Sequence, residues 1–499
     1  MKRSILWGAI CGFLLVNVAD AQDARRPPNI IFIMADDLGY GDLGCYGQRE
    51  ILTPHIDRLA RQGTRFTQCY AGSPVCAPSR SVLMTGQHTG HTTVRGNFGK
   101  GGVRGLGGGD GRVPLAEEDI TVAQGLRALG YATGMAGKWG LGEPGTSGMP
   151  DAKGFDEWMG FLNQRRAHEH YPDYLWFNGS RVDLLANQDG EEGIYAHDLF
   201  TGFAEGFIRR HADEPFFLYL PYTVPHSQFE APTLSPYADK PWSDQEKAYA
   251  AMVSRLDGHV GRLMALLEEL RLERNTVVFF CSDNGAADRY DGRFDSSGVL
   301  RGRKRDMYEG GLRTPMIVRW TGRIQPGVVS GLVWGFQDFL PTALELAGAT
   351  PPVEGLDGIS IAPSLLGEPQ DVSERILYWE FFEGGFQQAA RWLSWKVIRP
   401  EIGAPLEMYD LYTDLQETDN IAAENPELVA RFEIFLAAAR SESPHWPVIG
   451  DISPSVSAPP ALPDDVETPV EPLETDTPPL RPGGFLPTLP VSPPGDGAG

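Results

Sequence analysis

From Asn29 to about Leu366 the chain alternates short apolar runs with helix-length segments, and no other feature restricts its fold as much. NIIFIM (29–34), YATGMAG (131–137), PFFLYL (215–220), TVVFFCS (276–282) and TPMIVRW (314–320) are too short for buried helices and read as strands covered on both faces. Between several of them lie helical stretches, such as 121–130 and 249–273. The pattern predicts an α/β fold: a large, mostly parallel sheet flanked by helices on both faces. From about Val372 the texture changes. RILYWEFF, QAARWLSWKVIR and PLEMYDLYTD read as strands of a smaller C-terminal subdomain with an antiparallel sheet, and 426–442 as an amphipathic helix.

The ends have other compositions. Lys2 and Arg3, an apolar run from Ile5 to Val18, and Ala19-Asp20-Ala21 form the three parts of a secretory signal. The apolar run is too short for a membrane span. The expectation is an exported, periplasmic or extracellular protein. Residues 451–499 hold thirteen prolines and eight acids against one arginine, so this stretch cannot bury enough apolar surface to order itself. The expected organisation is a signal over 1–21, the main α/β domain over 22–371, the antiparallel-sheet subdomain over 372–447 and a Pro-rich acidic tail over 448–499. A net charge of −23 argues against nucleic acid and anionic membranes as partners. It leaves room for an anionic small substrate in a local basic pocket. Once Cys11 leaves with the signal, four cysteines are too few for a disulfide scaffold, and a Cys45–Cys69 pair is left open.

In an open parallel sheet, ligands bind beyond the carboxyl ends of the strands. Just past those ends come Asp36 and Asp37, Lys138, His226, and Asp283 with Asn284. Singly, each has an ordinary reading as a cap, a turn or a surface histidine. Their convergence on one sheet edge points to a site. Asp36, Asp37, Asp283 and Asn284 offer only oxygen ligands, which suit calcium or magnesium better than zinc. The Gly-rich stretch 99–111 lacks the strand-to-helix placement of a phosphate loop and is expected to be a plain loop.

SPVCAPSR (73–80) places Cys76 at a helix N-terminus, where free amides favour negative charge. Arg80, four residues on, shares its helix face and is expected to reach back to it. A buried structural thiol is the plain alternative.

CAPSR followed by MTG resembles the signature of type I sulfatases, with Met84 where that family often has leucine. The resemblance extends through NIIFIMADDLGYGDLGCYG, GKWGLG, VPHS, CSDNG, GRKRDMYEGGLRTP and PLEMYDLYTDLQETDNIA, from about Asn29 into the 440s. It implies a sulfuric ester hydrolase of the alkaline-phosphatase-like superfamily, acting on a sulfated carbohydrate or aryl sulfate. By that resemblance Cys76 is oxidised to formylglycine by a formylglycine-generating enzyme, and its hydrate supplies the nucleophilic oxygen. Asp36, Asp37, Asp283 and Asn284 hold calcium, with magnesium less favoured, and the modified Cys76 lies against the metal. Arg80 fixes the hydrate, Lys138 and Lys304 bind the sulfate, and His226 protonates the leaving oxygen.

One position departs from the family. Many relatives have GKWHLG, with a histidine able to act as base when sulfate is released, whereas here Gly140 stands in its place. His168, in QRRAHEHYPDYLW, is the candidate substitute, against the plain reading of a surface-loop histidine. Arg95 and Asn97 are candidates for binding the substrate beyond its sulfate, or helix-end structure. Arg301, Arg303 and Arg305 flank Lys304 and would add positive potential. Two alternatives stand beside the sulfatase reading: a phosphomonoester or phosphonate monoester hydrolase on the same scaffold, and a non-catalytic relative that binds sulfated glycans.

Overall fold

In the computed structural model, which describes residues 26–104, 111–287, 292–349 and 355–455, the run Asn29–Ala35 forms β1 near the centre of an eleven-stranded sheet. Every residue of β1 is buried, because both faces of the sheet are covered. Ile30, Phe32 and Met34 enter one apolar core, and Ile31, Ile33 and Ala35 enter the other. The expected signal and most of the expected tail lie outside the described residues. Among the described residues no helix is long and apolar enough to cross a membrane.

The remaining strands are β2 (Thr64–Tyr70), β3 (Ala132–Lys138), β4 (Glu157–Phe161), β5 (Tyr174–Phe177), β6 (Ser180–Asp183), β7 (Phe216–Pro221), β8 (Thr276–Ser282), β9 (Arg313–Trp320), β10 (Val328–Ser330) and β11 (Trp334–Gly335). Their order is β10-β2-β9-β8-β1-β7-β3-β4-β5-β6, with β11 also pairing β2. The central strands β8, β1, β7, β3 and β4 run parallel. One expectation needs correction: β9, read as a member of the parallel set, runs antiparallel to both β8 and β2. Among its described residues the loop after β8 has no crossover helix, so the chain re-enters the sheet in the opposite direction.

Helices α1 (Pro54–Gln62), α2 (Cys76–Thr85), α3 (Val122–Ala128), α4 (Ala196–Arg210), α5 (Asp244–Glu269) and α6 (Phe339–Leu346) divide between the faces. Val82, Leu126 and Phe339 pack on the Phe32 side, whereas Ile56, Phe200 and Leu256 pack on the Ile31 side. Both long-read helical segments begin at a capping box, Thr121 with Gln124 and Ser243 with Glu246.

The second sheet is antiparallel, as expected, with β12 (Ile376–Phe381), β13 (Gln387–Trp392), β14 (Trp395–Arg399) and β15 (Glu407–Asp410) in sequence order. Alternation along β12 sends Leu377, Trp379 and Phe381 towards Tyr70, Val75 and Met307 of the main sheet region. Tyr378 faces the other way, against helix α7 (Pro426–Ala438) through Leu428 and Phe432. A buried ion cluster joins the two sheets: Lys396 Nζ lies 2.9 Å from Glu309 Oε1 and 2.8 Å from Glu417 Oε1. Tyr70 donates to the other Glu309 oxygen at 2.7 Å. Cys45, Cys69, Cys76 and Cys281 are all free thiols, so the open question of a Cys45–Cys69 bridge is answered by two unpaired residues.

Candidate active site

Register carries the acidic residues together. Ala35 of β1 pairs with Ser282 of parallel β8, so the next residues, Asp36 and Asp283, leave the sheet side by side. Lys138 ends β3, two strands away across β7, and its ammonium bonds Asp36 Oδ2 at 2.6 Å. Asp37 takes a left-handed backbone (φ 66°), an uncommon conformation for a residue other than glycine that recurs at functional sites. Its Oδ1 accepts from Lys304 Nζ and from Asn284 Nδ2. Burial opposes charge on Asp37, but Lys304, His226 and Lys138 overcome it and hold the carboxyl well below its ordinary range.

Cys76 is the first residue of α2, as its sequence context predicts, and all ten residues of that helix are buried. Its Sγ lies 3.4 Å from Asp36 Oδ1 and 3.3 Å from Lys304 Nζ. Burial pushes the thiol up to about 12 despite Lys138 and Lys304, so an unmodified Cys76 remains protonated and weakly nucleophilic. Arg80 is placed differently from the expectation. Its Nε and Nη2 both donate to Asp283 Oδ2, at 3.1 and 2.8 Å, and Nη1 donates to the Lys138 carbonyl at 2.7 Å. Helical spacing allowed a contact with Cys76, but a fully buried carboxylate is the stronger partner for a guanidinium. Arg80 therefore braces the acidic cluster and the end of β3.

The donor set fits a cation. Ligand atoms of Asp36, Asp37, Cys76 and His226 all lie within 4.8 Å of one another, and all four residues are buried. Asp37 Oδ2 and Asn284 Oδ1 are buried acceptors without a hydrogen-bond partner. A cation between them would satisfy both. Asp283 stands one step further back: it accepts from the Asp37 amide at 3.2 Å and from Arg80, and burial, then Asp36, raise its carboxyl.

His226 Nε2 is 3.3 Å from Asp37 Oδ2, and its Nδ1 meets the Ser227 carbonyl. Burial lowers its pKa well below the usual value, against the pull of Asp37. His168 is brought into the site. Its ring stacks on that of His226, with centroids 3.7 Å apart and planes at 15°. His170 donates through Nε2 to the His226 carbonyl at 3.0 Å.

Gly140 adopts φ +75°, and a Cβ there would fall 2.5 Å from Gln164 Oε1. Gln164 fills that space and donates to Asn97, whose Oδ1 also accepts from Ala77 N, the residue after Cys76. Gln164 carries no sequence signal of its own beyond its place in the QRRAHEH segment. Asn97 thus stands beside the nucleophile position. Arg95 does not: it is buried against Glu380 (2.9 Å) and the Ser441 carbonyl (2.8 Å). Arg301 and Arg305 also turn elsewhere, to Tyr308 and Glu383 respectively. The described ends of the Gly-rich stretch are joined by bridges Gly99–Gly111 and Val103–Arg112, and 105–110 lie outside the described residues.

Three comparisons bear on this site. The sulfatase family model matches residues 28–349, and that of the N-sulphoglucosamine sulphohydrolase C-terminal region matches 302–437. Human arylsulfatase A is 36% identical over 390 residues, 73% of this chain and 73% of its own length. Canine N-acetylgalactosamine-6-sulfatase is 34% identical over 370 residues, 70% and 67% of the two chains. Among solved structures, Ps i-CgsB in complex with k-i-k-neocarrahexaose superposes with a TM-score of 0.73 at 28% identity, covering 83% of this chain and 92% of the other.

Proposed function

The chain belongs to the sulfatase family of sulfuric ester hydrolases, and from that premise we propose that it is an exported enzyme that cleaves sulfate esters of carbohydrates or aryl alcohols with a nucleophile made from Cys76. The observation that carries this reading is the position of Cys76 Sγ, between Lys304 Nζ and Asp36 Oδ1 and beside two unsatisfied acceptors. Calcium fits that donor set, held by Asp36, Asp37 and Asn284 with Asp283 behind them. When bound, calcium and the formylglycine hydrate supply an oxygen nucleophile of lowered pKa next to a fixed positive charge.

The chain's own residues do the rest. Lys304, whose ammonium lies 3.3 Å from Cys76 Sγ, and Lys138, whose ammonium lies on Asp36, neutralise charge on the sulfuryl oxygens as the ester bond breaks. Both give up part of their hold on Asp36 and Asp37 to do so, which a cation at those carboxylates permits. Arg80 keeps Asp283 and the Lys138 backbone fixed while the lysines exchange partners. His226 holds its Nδ1 proton on the Ser227 carbonyl, so Nε2 is the atom that gains a proton when an anion enters and passes it to the leaving oxygen. His168, stacked on the same ring, takes the place of the base absent at Gly140 and accepts the proton released with sulfate.

The test is to co-express the chain with a formylglycine-generating enzyme, verify the aldehyde at Cys76 by peptide mass spectrometry, and assay calcium-loaded protein. Release of sulfate is expected from 4-nitrophenyl sulfate or from members of a panel of sulfated mono- and oligosaccharides. Verified protein that releases sulfate from none of them would sink the proposal.

A further inference from the structure

Parallel strands β3 and β4 leave the sheet side by side, and their ladder runs on past Lys138: Trp139 N donates to the Phe161 carbonyl at 2.9 Å and Gly140 N to the Leu162 carbonyl at 3.1 Å. One segment delivers Lys138 to Asp36, and the other delivers Gln164 to the space beside Gly140. Gln164 is 3% exposed. The orientation of its amide follows from its partners. Asn97 Oδ1 accepts from Ala77 N at 3.2 Å, and Asn97 Nδ2 donates to Glu383 Oε1 at 2.8 Å, so the Asn97 amide can stand only one way round. Glu383 is held in turn by Arg305 Nε at 2.9 Å. The group that Gln164 turns to Asn97 Oδ1 must then be its NH2. Its Oε1 is left facing away from Asn97, a buried acceptor with no hydrogen-bond partner among the described residues.

That oxygen lies 2.5 Å from where a Cβ on residue 140 would stand, so the glycine is what leaves room for it. Gln164 is tied to the reacting atoms from two sides. Its NH2 shares Asn97 Oδ1 with the amide of Ala77, the neighbour of Cys76. Four residues on, the same turn carries His168 onto the ring of His226, whose ligand nitrogen is within 4.8 Å of Cys76 Sγ. An amide oxygen accepts a hydrogen bond without taking up the proton, so Gln164 does not compete with His168 for the role of base. Resting on the sulfatase reading, we infer that Gln164 Oε1 is a specificity-determining acceptor, which takes a hydrogen bond from a hydroxyl on the alcohol portion of the ester while Lys138 and Lys304 hold the sulfate. The substrate class is then a sulfate ester of a hydroxyl-bearing ring. An ester with no donor at that place leaves the oxygen buried and unpaired, and the site discriminates against it. Arg305, Glu383 and Asn97 are positioning residues in this arrangement, since they fix which end of the Gln164 amide faces outward.

The experiment uses the 2-, 3- and 4-hydroxyphenyl sulfates, which hold a hydroxyl at three distances from the ester, each beside its methoxyphenyl counterpart. With aldehyde-bearing, calcium-loaded enzyme, kcat/KM is measured for wild type and for Gln164→Met, which keeps the volume and removes the acceptor. Taking the wild-type-to-variant ratio for each ester cancels differences in leaving-group acidity. For at least one isomer the ratio is expected to be on the order of tenfold larger with hydroxyl than with methoxyl. Gln164→Asn, which withdraws the oxygen by one methylene, should act in the same direction and serves alone if the Met variant does not fold. Equal ratios for hydroxyl and methoxyl in all three pairs overturn the inference and leave Gln164 Oε1 to a resident water. If verified wild-type enzyme turns over none of the six esters, the sulfatase reading fails by itself. Ligand-observed NMR then reads binding of the same esters to the full chain. A preference for a hydroxyl ester that is lost in the variant upholds the inference, and equal binding of every pair rejects it.

Discussion

The imidazole of His168 lies parallel to that of His226 at a centroid distance of 3.7 Å. Two rings this close resist carrying charge together, and burial, Lys138 and His226 all depress protonation of His168. The pair is suited to alternate, one ring giving a proton while the other is free to take one. His168→Ala should lower turnover of a sulfate ester by roughly 10²–10⁴-fold. His168→Phe preserves a stacked ring without a proton site and should lose as much. Wild-type turnover in the Phe variant would reduce His168 to packing.

Calcium in the proposed site should also stabilise the fold. At a hundredfold excess over its dissociation constant, a cation that binds only the native state adds about 2.7 kcal/mol. Thermal unfolding of the aldehyde-bearing protein with calcium and with chelator reads this directly. Asp37→Asn removes the charge of Asp37, the one carboxylate of the two unsatisfied acceptors, and should abolish most of the difference.

Arg80→Met should destabilise the protein by about 3–5 kcal/mol, because Asp283 is left charged and unpaired in a fully buried setting. Urea midpoints measure it. Arg80→Lys keeps the charge but not the fork onto Asp283 Oδ2 and the Lys138 carbonyl, and should fall between Met and wild type.

Lys396→Met should cost a similar amount for the mirrored reason. Glu309 and Glu417 would face each other without their shared cation. Adding Glu417→Gln to that variant is expected to recover part of the loss. No recovery would mean that Lys396 acts through packing alone.

His88 bears on acid stability. Burial lowers its pKa from 6.5 to about 4, against the pull of Asp357. Between those values the unfolded chain binds more protons than the folded one, so the histidine's contribution is full above pH 6.5 and is lost as pH falls towards 4. Relative to His88→Gln, wild type should lose stability over this window, by up to about 1.4 kcal/mol per pH unit. Parallel pH profiles of the two proteins would contradict the assignment.

Strand identity was legible wherever an apolar run was long enough to be buried on both faces, as at β1 and β8. Direction was not: TPMIVRW looks like its parallel neighbours, and only the missing crossover makes it antiparallel. The edge residues Asp36, Asp37, Lys138, His226, Asp283 and Asn284 were legible because they follow β1, β3, β7 and β8, which run parallel and so end on one side. Partner choice inside the site was not legible. Helical spacing offered Arg80 to Cys76, and three-dimensional burial gave it to Asp283 instead. Arg95 carried the same positive charge as the site lysines, yet its depth in the chain's packing commits it to Glu380.

The burial of the whole Cys76–Thr85 helix has a consequence in time. Cys76 is 2% exposed and the residues that follow it are sealed beneath two sheets and their loops. An enzyme that reads Cys-Ala-Pro-Ser-Arg as an extended peptide has no access to it once this fold closes. On the proposed function, conversion of Cys76 would therefore have to come before folding, in competition with it. A variant that folds faster would leave more unconverted thiol, and specific activity would record the outcome of that race as well as the quality of the finished site.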